Sequence, residues 1–103
     1  MAKTGAKNLR FAQLQAEDRR LRILLLLELS AGYMARLDVL WRAMPTFGHR
    51  AGMDVLRNDV MWLAEMLLVA RADDWNIEIT ERGLDVAQGR SVAYGVATKT
   101  AGE

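Results

Sequence analysis

The chain has 103 residues, of which 51% are hydrophobic and 26% charged, a composition typical of one small globular domain and unlike a disordered or fibrous chain. Its lack of cysteine excludes disulfides and thiolate metal sites, and leaves the cytoplasm as the expected location. The formal net charge of +1 is a weak footprint for nucleic-acid binding, so any basic face must come from clustered side chains.

The first residues, "MAKTGAKNLR", are basic and contain no apolar core of a signal peptide. We expect residues 1–12 to form a disordered or loosely docked basic arm. The longest apolar run, from Ile23 to Leu29, is interrupted by Glu28. Because a membrane-spanning helix needs about 20 apolar residues, this run is too short to cross a bilayer.

The next segment predicts a long helix from Leu14 to Ser30. One side of it, in i, i+3, i+4, i+7 register, comprises Leu21, Leu24, Leu25 and Glu28, and the neighbouring sides are apolar too. A helix that is apolar nearly all round is normally buried on more than one side. We therefore expect a core face and a subunit contact around Leu25 or Leu26, which makes the protein a homodimer. Gly32 is the expected left-handed residue after the helix.

Two further helices are predicted on either side of a turn. The first covers about Leu37 to Met44, before Pro45, and the second covers about Gly52 to Leu67. "PTFGHR" forms the turn between them, with Gly48 at its bend. The second of these helices has an inward stripe of Leu56, Val60, Leu63 and Leu67. Its outward stripe consists of Asp54, Arg57, Asn58, Met61 and Glu65.

After these helices the period of the sequence changes from helical to alternating. "LLVARA" and "WNIEIT" predict two strands, with Asp73 and Asp74 forming the turn between them and Trp75 on the same face as the apolar strand residues. Thr80 is a good N-cap for a short following helix. Gly83 in its first turn predicts a close approach to a neighbouring element.

These elements divide the chain into the arm at 1–12, one domain at 13–90 and a tail at 91–103. The tail has turn residues and no period. It is either free or an arm on a partner subunit, with Val92, Tyr94 and Val96 as contacts and Tyr94 at the dimer interface.

The order of helix, helix, turn, helix, two-stranded ribbon and short helix is that of a winged helix-turn-helix. The segments "DVLRNDVMWLAEMLLV" and "NIEITERGLDVA" also resemble that family, and "ITERG" is similar to the "LTxxG" ending of bacterial winged-helix regulators. More narrowly, residues 17–90 resemble small winged-helix, ArsR-like proteins of Mu-like phages and prophages. The resemblance implies a mainly α fold with a small β-hairpin: a three-helix core, a two-stranded wing and a short C-terminal helix.

The resemblance implies double-stranded DNA as the partner and a role in transcription regulation or as an accessory DNA-binding factor. The third helix would lie in the major groove, where Arg57 can contact guanine and Asn58 adenine. Phosphate contacts are expected from the turn and from neighbouring arginines. The candidate DNA-binding residues are Arg42, His49, Arg50, Asp54, Arg57, Asn58, Met61 and Arg71.

The predicted wing tip carries acids where a phosphate-contacting loop usually carries bases. Asp73 and Asp74 there would raise the free energy of a DNA complex. The alternative is a winged-helix module that binds another phage or host protein and no DNA.

No reactive constellation is present, so we expect no enzyme. His49 is the only histidine, which leaves a histidine-based metal site or triad without partners, and glycine-rich phosphate loops are missing. We expect no metal and no cofactor. The three tryptophans, Trp41, Trp62 and Trp75, are interpreted as core packing.

Overall fold

The computed structural model of the chain describes the backbone of residues 2–99 and the side chains of residues 9–99. Its four α-helices are α1 (Ala2–Leu29), α2 (Leu37–Ala43), α3 (Met53–Glu65) and α4 (Glu81–Ala87). Its three strands are β1 (Met34–Arg36), β2 (Val69–Arg71) and β3 (Asn76–Ile79). Short 3₁₀ segments lie at Ala31–Tyr33, Met44–Phe47 and Asp73–Trp75.

The strands form an antiparallel sheet in the order β1-β3-β2. Ala35 of β1 pairs with Ile77, and Ala70 of β2 pairs with Glu78. The prediction of a two-stranded ribbon is thus wrong by one strand. β1 has only three residues, so it shows too little alternation to be recognised, and it exists because β3 offers a free edge.

The first helix begins at Ala2, well before the predicted start. Within the residues described, the predicted arm at 1–12 is helical backbone, continuous with the rest of α1. Alanine, lysine, leucine and arginine, all good helix formers, fill much of this stretch. Leu9, Phe11 and Leu14 are exposed on it, and the helix becomes buried only from about Leu21 onward.

The core lies between α1, α2, α3 and the sheet. Its fully buried large side chains include Leu21, Ile23, Leu24, Leu27, Leu40, Leu56, Leu63, Leu68 and Ile77. The inward stripe of α3 is confirmed for Leu56, Val60 and Leu63, but Leu67 is 67% exposed. α3 ends at Glu65, and Leu67 adopts a left-handed φ of 62°, which turns its side chain out and brings Leu68 into the core instead.

A buried ion cluster joins α1 to α3. Asp59, only 2% exposed, faces inward from α3 and accepts hydrogen bonds from Arg19 and Arg20. The Nε atoms of these arginines lie 2.6 and 3.2 Å from its carboxylate oxygens. Two donors on one carboxylate satisfy a charge that burial would otherwise make costly.

The junction between β3 and α4 follows the predicted chemistry. Thr80 caps α4: its hydroxyl accepts from the Gly83 N–H at 3.0 Å and donates to the Leu67 carbonyl at 2.7 Å. The close approach at Gly83 is also confirmed. A Cβ there would collide with the Leu68 carbonyl oxygen and lie 2.6 Å from the Ile79 side chain.

Part of the predicted tail packs on its own chain. Ala93 and Val96 are buried, and the Ala97 N–H donates to the Glu17 carbonyl of α1 at 3.0 Å. Gly95, with a left-handed φ of 81°, lies against the Trp62 indole. The role predicted for Val96 on a partner subunit is therefore wrong. Residues 100–103 lie outside the described part of the chain.

Candidate nucleic-acid interface

The outward stripe of α3 has the exposure that its spacing predicts. Its members, at i, i+3, i+4, i+7 and beyond, are exposed: Asp54, Arg57, Asn58, Met61 and Glu65. Because α3 buries the opposite face in the core, the backbone of this stripe is held on a rigid element. A hydrogen-bonding face of this kind can approach another macromolecule as a unit.

Trp75 brings the ribbon to this helix. The guanidinium carbon of Arg71, on β2, lies 4.4 Å from the centroid of the Trp75 ring, and that of Arg57, on α3, lies 5.4 Å from it. These distances are within the range of a cation–π interaction. Two predicted contact residues are thus united by a third residue that the sequence placed in the core.

The turn around Trp75 differs from the predicted one. Trp75 is not in a strand: Asp73–Trp75 forms a 3₁₀ segment, closed by a 2.7 Å hydrogen bond from the Ala72 N–H to the Asn76 carbonyl. Asp74 and Trp75 both have left-handed φ angles, 56° and 57°. Alternating hydrophobicity cannot reveal a change in the sign of φ, so the strand prediction for Trp75 is wrong. The indole is half-buried and packs against the edge of the core, as the core prediction requires in part.

The turn between α2 and α3 offers one exposed base. Arg50 is exposed, whereas His49 is 8% exposed and its Nε2 lies 2.7 Å from an Asp18 carboxylate oxygen on α1. The predicted surface position of His49 is therefore wrong. A carboxylate on the neighbouring helix draws the ring inward, which removes it from the candidate phosphate contacts.

A shallow cavity of about 270 Å³ lies beside this turn, bounded by Trp41, Pro45 and Ala51 with Arg42 and Arg50 at its edge. Trp41 is 38% exposed and its Nε1 donates to the Ala51 carbonyl at 2.9 Å, so it is not the core residue predicted. Arg42 is exposed and lies 3.8 Å from Asp38 on the same helix. At that distance and exposure the pair interacts weakly.

The charges on this face are only partly balanced. Among residues 9–99, Arg50, Arg57 and Arg71 have no carboxylate within 4.0 Å, whereas Arg19, Arg20 and Arg22 of α1 all do. Asp54, Asp73 and Asp74 are also exposed on these elements. The face therefore presents free guanidinium groups with acids nearby but unpaired with them.

Comparison with known proteins places the chain among phage proteins. It is 37% identical over 83 residues to the uncharacterized protein gp26 of Escherichia phage Mu, an alignment that spans 78% of this chain and 85% of gp26. The chain belongs to the gp26 family. No family model matches the sequence, and no solved structure matches it. The phage part of the predicted resemblance is confirmed, and gp26 brings no fold or activity with it.

The predicted dimer residues of this gp26-family chain line different surfaces. Leu25 and Leu26 are half-buried in a groove of about 240 Å³ beside Leu29 and Phe47. Tyr94 is 81% exposed and lines a different cavity, with its ring centroid 6.1 Å from that of Trp62. The structure does not bring the three residues into one patch.

Two kinds of site are missing from the part of the gp26-family chain that the structure describes. Within it, no three histidine, cysteine or acidic side chains come together as a metal site. None of its helices has the length and apolar character needed to cross a bilayer.

Proposed function

We propose that this gp26-family protein is a winged-helix protein that binds double-stranded DNA through α3 and the β2–β3 ribbon, as a regulator or accessory factor of a phage. The observation that carries the proposal is the convergence of Arg57 and Arg71 on Trp75. Helix and ribbon thereby present free guanidinium groups on one surface, as a DNA-contacting face requires.

The order of elements supports the winged-helix fold. Three helices are followed by an antiparallel ribbon and a short fourth helix, with β1 added at the edge of β3. β1, which lies between α1 and α2, pairs with β3 and so joins the ribbon to that segment of the chain. This pairing anchors the ribbon along its β3 edge, which favours simultaneous contact of helix and ribbon with one duplex.

The side chains of the face divide the work of binding. Arg57 can donate two hydrogen bonds to a guanine edge, and Asn58, next to it on α3, can pair with adenine in the major groove. Arg50, Arg42 and Arg71 contact phosphates, which adds affinity that is independent of sequence and falls steeply with salt.

The acids on the face lower that affinity. Asp54, Asp73 and Asp74 would each meet the negative potential of the duplex without a base of their own. We therefore expect modest affinity for random DNA, and a preferred site should bind with an affinity that is larger relative to this low background.

The first test is fluorescence anisotropy of a labelled random duplex, titrated with the protein at several salt concentrations. Binding that weakens linearly in log Kd against log salt supports phosphate contacts. Arg57→Ala is the test variant. Arg90→Ala is its control, since Arg90 carries the same charge but is paired with Asp85 on α4. Equal losses in both variants would mean that only total charge matters.

The exposed acids favour one second candidate, a protein-binding module in which Asp54, Asp73 and Asp74 dock a basic partner. No duplex binding by the intact protein at low salt would contradict the DNA proposal and favour this one. In that case Asp73→Asn and Asp74→Asn should weaken capture of the partner, whereas under the DNA proposal they should strengthen duplex binding.

The proposal includes a homodimer formed through the groove at Leu25, Leu26 and Phe47. Two copies would present two α3 helices to successive turns of the duplex. Sedimentation at concentrations on the order of tens of micromolar tests it, since association follows mass action. A monomer at these concentrations contradicts the homodimer but does not contradict DNA binding through α3 and the ribbon.

A further inference from the structure

Trp75 has an unusual backbone for a large aromatic residue. Its φ of 57° follows directly on the φ of 56° at Asp74, so two successive residues other than glycine occupy the left-handed region. Bulky side chains rarely adopt that conformation, because the Cβ crowds the backbone. Such outliers persist only where the surroundings hold them, and they cluster at functional sites.

The surroundings of Trp75 are two arginines from two different elements. Arg57 approaches the indole from α3 and Arg71 from β2, and the 3₁₀ turn itself is closed by the hydrogen bond between Ala72 and Asn76. The amide of Asn76 also donates to the Asp73 carbonyl at 3.3 Å. The indole is therefore the link between the ribbon and the outward face of α3.

Two guanidinium groups with no carboxylate partner repel each other. An aromatic ring attracts both through its negative face, and it does so without neutralising their charge. A carboxylate in the same place would hold the arginines but would cancel the potential that DNA recognises. An indole holds them and leaves their N–H groups and charge available.

We infer that Trp75 is a positioning residue that sets the orientation of Arg57 and Arg71 before DNA arrives. The inference rests on the proposed function. It adds to that function a residue of the ribbon, Trp75, that controls how Arg57 on α3 contacts the bases. Because the indole ring holds the Arg57 side chain in place before binding, little side-chain conformational entropy is lost when the guanidinium contacts a base.

The same geometry accounts for an acid at the ribbon tip. The turn that brings Trp75 to the two arginines has a left-handed residue just before it, Asp74, and aspartate tolerates that region better than most residues. Asp74 is there for its backbone conformation, and its charge is tolerated.

The first measurement uses the free protein. In the NMR spectrum the Nε–Hε signals of Arg57 and Arg71, assigned with Arg57→Lys and Arg71→Lys, should be displaced upfield by the indole ring. Trp75→Leu should return both to ordinary positions, and Trp75→Phe should retain part of the displacement. Undisplaced signals in the intact protein, or unchanged signals in folded Trp75→Leu, overturn the inference.

The second measurement uses a duplex selected for preferred binding and the same duplex with one base pair changed. Trp75→Leu should weaken binding to the selected duplex about tenfold, as loss of one good base contact does. It should also reduce discrimination at the same base pair at which Arg57→Ala reduces it. Binding to a random duplex should change less. Trp75→Phe should restore most of the discrimination, which a purely structural role would not explain.

The two measurements separate the two claims. Displaced signals with no duplex binding by the intact protein would overturn the proposed function while leaving the Arg–Trp–Arg arrangement established. Full discrimination by Trp75→Leu would overturn the positioning role even if DNA binding itself is real. If Trp75→Leu does not fold, the NMR displacement in the intact protein and in Trp75→Phe decides the arrangement.

Discussion

The two faces of α3 use arginine in opposite ways. On the inward face, Arg19 and Arg20 donate to the buried carboxylate of Asp59. On the outward face, Arg57 lies over the Trp75 ring with no acid within 4.0 Å among the described residues. A carboxylate makes an arginine part of the core, whereas an aromatic ring orients it and leaves its charge free. The net charge of +1 conceals this difference.

α1 makes further charged contacts outside the Asp59 cluster. Arg22 lies 3.5 Å from Asp18 and over the Phe47 ring, and Asp18 also meets His49. The central arginines of α1 therefore hold the domain together. If the comparison is correct, substitutions on the inward face of α3 should change the free energy of unfolding. Substitutions on its outward face should change DNA binding.

The largest expected effect is at Asp59. Asp59→Ala would leave Arg19 and Arg20 largely buried without their carboxylate, and should lower the free energy of unfolding by about 3–5 kcal/mol. Chemical denaturation measures the change. Asp54→Ala, an exposed aspartate in the first turn of the same helix, is the control and should cost no more than about 1 kcal/mol, the usual contribution of an acid at a helix N-terminus. Similar losses in both variants would show that the inward cluster has no special role.

Gly83 provides a smaller test of the interior that does not involve charge. Gly83→Ala drives a Cβ into the Leu68 carbonyl and the Ile79 side chain. Overpacking of this kind should cost about 1–3 kcal/mol in the free energy of unfolding. Its neighbour Arg82→Ala, exposed in the same turn, controls for general effects on α4. If Gly83→Ala leaves the free energy of unfolding unchanged, the backbone at the β3–α4 junction can shift at little cost.

On the outward face the expected change is in binding. Arg57→Ala should weaken binding to the best site by about 1–3 kcal/mol and relax specificity at one base pair. Its free energy of unfolding should change by no more than about 0.5 kcal/mol. Anisotropy and denaturation on the same samples measure both. Unchanged affinity for the best site would contradict the DNA-binding role of α3.

The smallest effect is expected at the ribbon tip. Asp74→Asn removes a negative charge and keeps a side chain that tolerates left-handed φ, so duplex binding should tighten by at most about 1 kcal/mol with stability unchanged. Asp74→Ala should instead cost about 1–2 kcal/mol of stability, the usual penalty of the left-handed region. Tighter DNA binding only in the alanine variant would argue against a conformational role for Asp74.

Local patterns in the sequence predict α2, α3, the Thr80 cap and the glycine approach at position 83, because each depends on residues a few positions apart. The Asp59 cluster joins residues 39 and 40 positions apart, and no local pattern contains it. One signal was present: Asp59 falls within the apolar stripe of α3, where a lone acid requires a buried base.

The candidate site was only partly predictable for a related reason. Exposure of Arg57 and Asn58 follows from helical period. The contact of Trp75 with two arginines does not, because it depends on two left-handed φ angles that alternation of side chains cannot encode. Two adjacent aspartates, which tolerate such angles, were the available indication of a tight turn.

The contact of Gly95 with Arg20 has a consequence for synthesis on the ribosome. The Gly95 carbonyl accepts from Arg20 at 2.9 Å across 75 positions of sequence. α1 is therefore synthesised well before the segment that packs on Trp62, in which Gly95 lies against the indole. Until residue 95 emerges, that indole stays uncovered in the nascent chain, and the domain closes as a late step that joins its distant ends.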